Sequence, residues 1–373
     1  MSLSENSGSK MKSRLLMGPG PSNVSQRVYD ALATPIIGHL DPEFLDIMDE
    51  TVQMLREIFG TENRLTIPVS GTGSSGMEAG FVNVLEKGDK VVIGVNGVFG
   101  ERMSDVASRY GAEVIRIEEE WGRIIEPARI IDVLKKHPDT KMVAIVHAET
   151  STGAKQPIEE IGSYVKQTDT LLLVDAVTSL AGCELKIDEW NIDICYSGTQ
   201  KCLSVPPGLS PLTFSDKAVE VIEARGSKIE SWYLDLSMIR KYWGSERVYH
   251  HTAPISMIYA LREGLRIILE EGLEDRYKRH QMVGDYFVEE ISKLGFNLFA
   301  QEGHRLPMLV SVILPEGIDD DMVRTKLLRE HGIEIGVGLG KTRGKIWRIG
   351  LMGESCTKGN VDIFISALKE IIS

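Results

Sequence analysis

The sequence predicts an α/β protein with a large domain, built on a mostly parallel sheet covered by helices, and a smaller C-terminal α+β domain. Strand-like and helix-like segments alternate between residues 65 and 214, which is typical of a parallel sheet. The predicted strands are continuous apolar runs, as expected when both faces of a sheet are covered. Beyond residue 214 the alternation stops, and a long amphipathic stretch leads into a shorter mixed segment.

Hydrophobic periodicity, and the residues that interrupt it, define the elements of the large domain. Residues 15–23 contain two prolines and two glycines, which preclude regular structure and indicate a loop. Apolar residues at three- and four-residue steps predict a helix over residues 42–59, after a shorter one over 25–33. The predicted strands that follow are 65–69, 90–95, 113–117, 142–147, 171–174, 192–196 and 209–214, with intervening helices that include 100–110, 127–137 and 158–167.

The C-terminal region has a different pattern. An amphipathic helical stretch covers residues 255–294, and strands at 308–314 and 346–349 alternate with helices at 321–331 and 360–372. We expect residues 14–271 to form the large domain, including the N-terminal loop, and residues 272–373 the small one. Residues 1–13 are expected to be a disordered tail or a remnant of the expression vector, with Met11 as a possible native start.

The composition restricts the partners of the chain. It carries 42 basic and 54 acidic residues, a formal charge of −12, which repels a nucleic-acid backbone. No apolar run approaches the length of about 18 residues that a membrane span needs, and the first residues lack the apolar core of a secretory signal. Four cysteines without metal-binding spacing indicate reduced thiols. We therefore expect a cytoplasmic protein with no nucleic-acid or membrane partner.

The segment Ser197-Gly198-Thr199-Gln200-Lys201 places one lysine just after a predicted strand. Removal from water lowers the pKa of a lysine, and its neutral amine can then attack a carbonyl. Asp175 supplies a carboxylate at the end of another predicted strand. A lysine in imine linkage and a carboxylate paired with a pyridinium nitrogen are what pyridoxal 5′-phosphate (PLP) requires of a protein. We therefore predict Lys201 and Asp175 as catalytic residues and PLP as the cofactor.

A glycine-rich turn, residues 70–76, precedes a predicted helix. Such a turn exposes unpaired backbone N–H groups at the positive end of the helix dipole, and Thr72, Ser74 and Ser75 add hydroxyl donors. The pattern predicts a phosphate site, although a flexible turn with an ordinary serine cap fits the motif equally well. Because the turn lacks the spacing of a nucleotide P-loop, a nucleotide is the weaker choice of anion.

Four predicted strands end in segments of chemical interest: 96–99, 147–153, Asp175 and 197–201. Ligands of such sheets bind beyond the carboxyl ends of the strands, so we expect these segments to meet at one site. Phe99 there either stacks on a planar ring or belongs to the core. Ser151 either donates to a ligand or caps its turn, and His147 is assigned no role.

Two motifs lie beyond the predicted large sheet. Residues 249–252, Tyr-His-His-Thr, form a polar and aromatic cluster. The adjacent histidines point apart and have no acidic or thiol partner nearby, so we predict no metal site. Arg348 interrupts an apolar strand, where a fixed guanidinium suits a carboxylate, although a surface arginine on an edge strand is an equal alternative.

With these residues in place, the chain resembles the class V, fold type I, PLP-dependent aminotransferases, in the alanine-glyoxylate and serine-pyruvate aminotransferase branch. The resemblance runs from about Leu15 to the C-terminus. Its motifs are separated along the chain and occur in the expected order at 16–23, 70–73, 174–175, 197–201, 249–252 and 348–350. The resemblance implies the fold type I transferase architecture and a homodimer.

The resemblance also implies roles for individual residues around the cofactor. Lys201 is the imine lysine and Asp175 the partner of the pyridine nitrogen. Ser151 lies near the ring oxygen, and Phe99 stacks on the ring at a position that is often tryptophan in this branch. The residues implied to hold the phosphate are Thr72, Gly73, Ser74 and Gln200, with Tyr249 and Thr252 contributed by the neighbouring subunit.

The substrate site and the reaction follow from the same resemblance. Arg348 binds the substrate carboxylate, and Ser22 and Asn23 approach the substrate from the partner chain. The implied reaction is ping-pong transamination from alanine or serine to glyoxylate or pyruvate. We keep as alternatives 3-hydroxykynurenine or another amino donor, desulfuration of cysteine, and PLP binding without catalysis. Pocket shape decides between small donors, so the sequence does not rank them.

Overall fold

The computed structural model describes residues 13–373, which contain fourteen strands and twelve α-helices. The predicted tail, including Met11, lies outside the described residues except for Ser13. The strands are β1 (Leu15–Met17), β2 (Leu65–Ser70), β3 (Lys90–Val95), β4 (Glu113–Glu118), β5 (Thr140–Val146), β6 (Ala148–Glu149), β7 (Ala154–Lys155), β8 (Leu171–Asp175), β9 (Ile194–Tyr196), β10 (Leu209–Phe214), β11 (Asn297–Leu298), β12 (Leu309–Ile313), β13 (Ile333–Val337) and β14 (Ile346–Gly350).

The helices cover the predicted positions and add two more. They are α1 (Gln26–Leu32), α2 (Pro42–Phe59), α3 (Gly73–Val82), α4 (Val98–Arg109), α5 (Pro127–Lys136), α6 (Glu159–Val165), α7 (Asp216–Glu223), α8 (Leu236–Trp243), α9 (Ile255–Glu271), α10 (Leu273–Ser292), α11 (Asp320–Arg329) and α12 (Lys358–Ile372). Helices α7 and α8 are absent from the sequence prediction. The helix predicted over 255–294 is two helices, because Gly272 between them has a φ of 82°, outside the helical region.

The larger sheet has seven strands in the spatial order β2-β10-β9-β8-β5-β3-β4. All neighbours are parallel except the two pairs that involve β10, so the prediction of a mostly parallel sheet covered by helices is confirmed. Asp175 at the end of β8 pairs with Val146 on β5 and with Tyr196 on β9. These three strands therefore end level with one another, and the segments that follow them emerge at the same edge.

The smaller sheet has five strands in the order β1-β13-β14-β12-β11. Its first strand comes from the N-terminus, because Leu15–Met17 pair in parallel with β13. The sequence analysis had placed all of residues 14–271 in the large domain. We keep the division near residue 272 as a proposal, with β1 assigned to the C-terminal unit.

Two separate hydrophobic cores support that division. The larger core surrounds the seven-stranded sheet, where β8 is fully buried from Leu171 to Val174. The smaller core lies between the five-stranded sheet and helices α10, α11 and α12, around Phe287, Trp347 and Phe364. Within residues 13–373, no helix is both long and apolar enough to cross a lipid bilayer.

Candidate active site

The ends of β2, β8 and β9 bring three predicted segments together. Helix α3 begins at Gly73, and the loop after β9 passes so close that a Cβ on Gly198 would lie 3.5 Å from Gly73 Cα. Asp175 pairs with Tyr196 in the sheet register, and Lys201 lies in the loop that follows Tyr196. The structure thus brings the glycine-rich turn, the carboxylate and the lysine to one edge of the large sheet.

Lys201 is held in a water-poor position at this edge. Its Nζ donates to the carbonyl oxygen of Pro19 in the N-terminal loop. Gly20 of that loop has a φ of 111°, and a Cβ there would lie 2.7 Å from Nζ, so the loop approaches closely only because residue 20 is glycine. Burial, and secondarily the positive charge of Arg348, lower the pKa of Lys201 to about 8. A much larger fraction of this amine is therefore neutral near pH 7 than of an ordinary lysine.

This lowered pKa predicts how cofactor uptake depends on pH. Only the neutral amine attacks an aldehyde, and its fraction rises about tenfold per pH unit below the pKa. We expect the rate of PLP uptake by the cofactor-free protein to rise up to about pH 8 and then level off. Stopped-flow absorbance measures the rate, and Arg348→Ala should move the plateau to higher pH. A plateau at an ordinary lysine pKa, near 10.5, would contradict the prediction.

Asp175 is buried, with 2% of its surface exposed, and holds two neutral donors. Its Oδ1 accepts from the backbone N–H of Val177 at 2.9 Å, and its Oδ2 accepts from the hydroxyl of Tyr196 at 2.7 Å. Burial raises the pKa of this carboxyl to about 6. A carboxylate with spare acceptor capacity in such a place gains from a cationic N–H donor, which a protonated pyridine ring supplies.

The start of α3 has the properties of an anion site. Its N-cap residue Thr72 makes no side-chain hydrogen bond to the helix, so the first backbone N–H groups remain available. Arg102 on α4 approaches the same turn, with Nη1 at 3.5 Å from Ser74 Oγ. The Oε1 atom of Gln200 is buried without a hydrogen-bond partner, and rotation of that amide by half a turn would present its NH₂ group as a donor. These donors and the dipole of a ten-residue helix favour a phosphate at this position.

Phe99 and Ser151 lie at the neighbouring strand ends. Phe99 is half-buried in the first turn of α4, and the guanidinium carbon of Arg102 lies 4.9 Å from its ring centroid. The hydroxyl of Ser151 donates to Glu149 Oε1 at 2.5 Å and accepts from the backbone N–H of Val98 at 3.0 Å. Because this hydroxyl already serves two partners in the chain, its contact with the cofactor's ring oxygen stays a prediction.

Arg348 lies on β14, between β12 and β13, and only 6% of its surface is exposed. The alternative of a surface arginine on an edge strand is therefore wrong. Its Nε donates to Val337 O at 2.9 Å and its Nη1 to Thr150 O at 3.2 Å. Burial lowers the pKa of the guanidinium to about 10. Two backbone carbonyls thus orient the group, while neither neutralises its charge, which suits a carboxylate ligand.

Four residues of the predicted site were assigned contacts across subunits, and the single chain shows only their contacts within one subunit. Ser22 Oγ donates to Lys201 O at 2.8 Å, and Asn23 Oδ1 accepts from Ser355 Oγ at 3.0 Å within the same chain. Tyr249 and Thr252 are exposed, with their hydroxyl oxygens 3.5 Å apart. Contacts of all four residues across subunits stay predictions.

Three residues of this region were missed by the sequence analysis: Tyr196, Arg102 and Glu149. Tyr196 belongs to an apolar strand and Arg102 to a helix, and neither has a local motif. Glu149 lies within 147–153, one of the segments predicted to follow a strand of the large sheet. A carboxyl in such a segment is the sequence signal that could have identified it. His147, which was given no role, is buried with its ring edge-on to Trp190 at 5.8 Å.

The residues present fit PLP. The Gln200 amide, whose buried oxygen lacks a partner, and the open helix N–H groups match the phosphate, and the half-buried Phe99 matches the ring. The buried Asp175 carboxyl matches the ring nitrogen, and the lysine of lowered pKa matches the aldehyde. Each functional part of the cofactor therefore has a chemically suited group at this edge of the sheet.

The chain is similar to several named proteins in sequence and structure. Residues 21–349 match the family model of class-V aminotransferases. It is 43% identical to the (S)-ureidoglycine–glyoxylate transaminase of Bacillus subtilis, over 96% of this chain and 90% of the relative. It is 41% identical to an alanine–glyoxylate aminotransferase of Drosophila melanogaster, over 96% and 92% of the two chains. The crystal structure of an alanine–glyoxylate aminotransferase from Nostoc sp. superposes with a TM-score of 0.96 at 47% identity, covering 100% of both chains.

Proposed function

Because the chain belongs to the class-V aminotransferase family, we propose that it transfers the amino group of alanine, serine or another small L-amino acid to glyoxylate, with PLP as cofactor. One observation carries the proposal: Lys201 Nζ donates to the carbonyl of Pro19, and Pro19 lies against Gly336, which pairs with Arg348 on the neighbouring strand. The positive charge of Arg348 accordingly helps burial to lower the pKa of the Lys201 amine. A group that binds an α-carboxylate and a group that reacts at the α-carbon therefore share one site. Glyoxylate is favoured as acceptor because both kinds of relative carry it in their names, and pyruvate is the second acceptor to test.

Each residue has a defined task in this reaction. When bound, PLP supplies an electron sink that stabilises negative charge on the substrate Cα. Arg348 holds the substrate carboxylate and thereby fixes the direction in which the Cα–H bond points. Asp175 would keep a proton on the ring nitrogen, and the hydroxyl of Tyr196 donates to Asp175 and holds the carboxylate in place. The N–H groups at the start of α3, with Gln200, would hold the phosphate.

Lys201 performs the proton transfers. Its amine would hold PLP covalently in the absence of substrate and would be free in its presence. The freed Nζ then takes the proton from the substrate Cα, for which a pKa of about 8 is well suited near neutral pH. The N-terminal loop over Lys201, with Gly20 against its side chain, limits access of water to that atom.

The alternatives have less support in the geometry. Desulfuration of cysteine needs a mobile nucleophilic thiol, whereas Cys356 is fully buried and its pKa is raised to about 11 by burial. A protein that only carries PLP has no need of an oriented arginine such as Arg348. All four cysteines are free and buried, which agrees with a reducing, cytoplasmic location.

We also propose that the protein is a homodimer with shared active sites. An exposed apolar surface formed by Ile36, Leu40, Trp232, Val248 and Tyr249 requires a cover. These residues are neighbours, because the ring of Tyr249 lies 5.2 Å from that of His39 and the ring of Trp232 lies 4.3 Å from that of His250. A two-fold partner over this surface would receive Tyr249 and Thr252 in its own phosphate site.

A complementation experiment tests the shared sites. Lys201→Ala removes the lysine from the chain's own site, and the double variant Tyr249→Ala, Thr252→Ala removes the contribution to the partner's site. In dimers formed by refolding a mixture, half are mixed and one of their two sites is intact. We therefore expect about a quarter of wild-type activity from the mixture, well above either variant alone. Activity equal to the mean of the two variants would contradict shared sites.

Substitution of Arg348 should act mainly on substrate binding. Arg348→Ala removes a buried partner of the carboxylate, so we expect KM for amino acids and 2-oxo acids to rise by roughly 30- to 900-fold, or about 2 to 4 kcal/mol. Arg348→Lys keeps the charge but not the planar guanidinium, so its KM should lie between those of the wild type and Arg348→Ala. Steady-state kinetics measure the effect, with Arg343→Ala, an exposed arginine, as control. An unchanged KM in Arg348→Ala would exclude the carboxylate role.

Absorbance spectroscopy tests the proposed function itself. The protein loaded with PLP is scanned from about 300 to 500 nm, then given L-alanine and afterwards glyoxylate. We expect the visible band to disappear with alanine and to return with glyoxylate. A response to serine, (S)-ureidoglycine or 3-hydroxykynurenine in place of alanine would change the donor but keep the reaction. No band after addition of PLP would refute the proposal.

A further inference from the structure

Glu149 is a buried carboxyl that the reaction described above does not use. It lies at the end of β6, and none of its surface is exposed. Three neutral donors surround it. Oε1 accepts from the backbone N–H of Ser151 at 3.0 Å and from its hydroxyl at 2.5 Å, and Oε2 accepts from the backbone N–H of Phe99 at 3.2 Å. A carboxyl without an ion pair at such a position is costly to bury, so its retention requires a reason.

The contacts of Glu149 join two separate parts of the site. Phe99 is in the first turn of α4, after β3, and Ser151 is in the turn after β6, fifty-two residues further along the chain. Ser151 adds a second link between these two parts, because its Oγ accepts from the N–H of Val98 at the start of α4. One carboxyl and one hydroxyl therefore determine how the start of α4 lies against the 149–153 turn.

The backbone around Glu149 leaves space for this arrangement. At Gly97, immediately before α4, a Cβ would lie 2.3 Å from Glu149 Cδ and 2.6 Å from Ser151 Oγ. Any larger residue at position 97 would displace the carboxyl or the hydroxyl. The same N-terminal end of α4, a twelve-residue helix, favours a negative charge on Oε2 through its dipole.

The charged groups that face Glu149 belong to the site. Burial raises the pKa of Glu149 to about 7, and repulsion from Asp175 on β8 acts in the same direction. Arg348 on β14 is close enough for Glu149 to raise the pKa of its guanidinium. The Arg348 side chain also donates to the carbonyl of Thr150, the residue between Glu149 and Ser151. Glu149 is thus connected to the ring-stacking residue, to Ser151 and to the substrate arginine.

We propose that Glu149 is a positioning residue that holds Phe99 and Ser151 in fixed relative positions for the transamination reaction. The proposal rests on the proposed function, because it concerns where a bound ring would lie between these two residues. Glu149 touches neither ring nor substrate in this account and acts through its neighbours. Loss of one of its acceptor oxygens would release either α4 or the turn while the rest of the fold remains in place.

The test uses Glu149→Gln, which keeps the shape but replaces one acceptor oxygen by a donor group. Hydrogen exchange of the cofactor-free protein is the first measurement. Loss of a buried hydrogen bond should speed exchange about fivefold, equivalent to about 1 kcal/mol, in the peptides that contain Phe99 or Ser151. Glu101→Gln is the control, because Glu101 lies in the first turn of the same helix and its side chain makes no hydrogen bond within residues 13–373. This change should leave the exchange rates of those peptides unchanged.

The PLP-loaded protein supplies the second measurement. We expect Glu149→Gln to shift the visible absorption maximum and to lower kcat by about 10- to 100-fold, with a smaller change in KM. Protonation of Lys201 lowers kcat below about pH 8 in any variant that keeps this lysine. In the wild type, protonation of Glu149 would also weaken all three accepted bonds, so kcat should fall more steeply as the pH is lowered through about 7. In Glu149→Gln that added fall should be absent, and only the tenfold change per pH unit that follows protonation of Lys201 should remain.

The outcomes separate the two proposals. Wild-type exchange, absorption maximum and kcat in Glu149→Gln would overturn the positioning role, as would faster exchange with normal kcat and spectrum. If Glu149→Gln does not fold, Glu149→Asp replaces it, because the shorter carboxylate keeps the charge but cannot reach both Phe99 and Ser151. A wild-type protein that binds no PLP refutes the proposed function and the positioning role with it. A wild type that binds PLP but transfers no amino group refutes the proposed function. The positioning role of Glu149 is then tested by the absorption maximum alone, and an unshifted maximum in Glu149→Gln would overturn it.

Discussion

Replacement of Lys201 by alanine should abolish amino-group transfer and the visible absorbance of the bound cofactor together. Within residues 13–373, Lys201 is the one amine that the predicted site offers at this edge of the sheet, and its lowered pKa supplies both the nucleophile and the base. We expect kcat to fall by at least about 10⁴-fold, the upper end of what one positioned acid–base group contributes. Absorbance after loading with PLP, and single-turnover transfer from alanine, measure the two effects.

A matched control separates this loss from a general effect of removing a lysine. Lys228→Ala changes an exposed lysine and should keep full activity and a normal spectrum. The thermal midpoint of Lys201→Ala should not fall, because the substitution removes an amine that burial disfavours in its charged form. Normal turnover in Lys201→Ala would refute the assignment of the site as a whole.

Replacement of Asp175 by asparagine should have the next largest effect. The amide cannot compensate the charge of a protonated ring nitrogen, so negative charge at the substrate Cα would lose its electron sink. Loss of one member of a buried charge pair costs about 2 to 5 kcal/mol, which corresponds to roughly 30- to 5,000-fold in kcat/KM. The substitution is nearly isosteric, and the new side-chain amide can still contact Tyr196 and Val177, so we expect the fold to be retained.

Asp193 provides the control for Asp175→Asn. It is also a buried aspartate, with 8% exposure, and it accepts from Leu172 N at 3.0 Å and Ser215 Oγ at 2.8 Å, away from Lys201. Asp193→Asn should alter the thermal midpoint more than it alters kcat, and Asp175→Asn the reverse. Comparable losses of kcat in the two variants would mean that Asp175 acts through stability alone.

The strands of the large sheet and the chemically active groups at its edge could be predicted from local sequence. Continuous apolar runs such as Lys90–Val95 and Leu209–Phe214 have the same bounds in the structure, because burial on both faces leaves a strong local signal. Helix α2 also begins and ends where predicted, between the Asp41 cap and Gly60. The approach of Lys201 to Asp175 followed from one further rule, that the ends of parallel strands meet at one edge.

Features that depend on residues distant in the chain could not be predicted in this way. Leu15–Met17 pair with β13, which lies more than three hundred residues further along the chain. Arg348 is central in the small sheet because β14 lies between β12 and β13, and β13 has no local signal in the sequence. The same holds for Glu149, whose role is defined by the distant N–H of Phe99. Local sequence encodes periodicity and side-chain chemistry, whereas the neighbours of a buried polar group are fixed only when sheets and helices pack against each other.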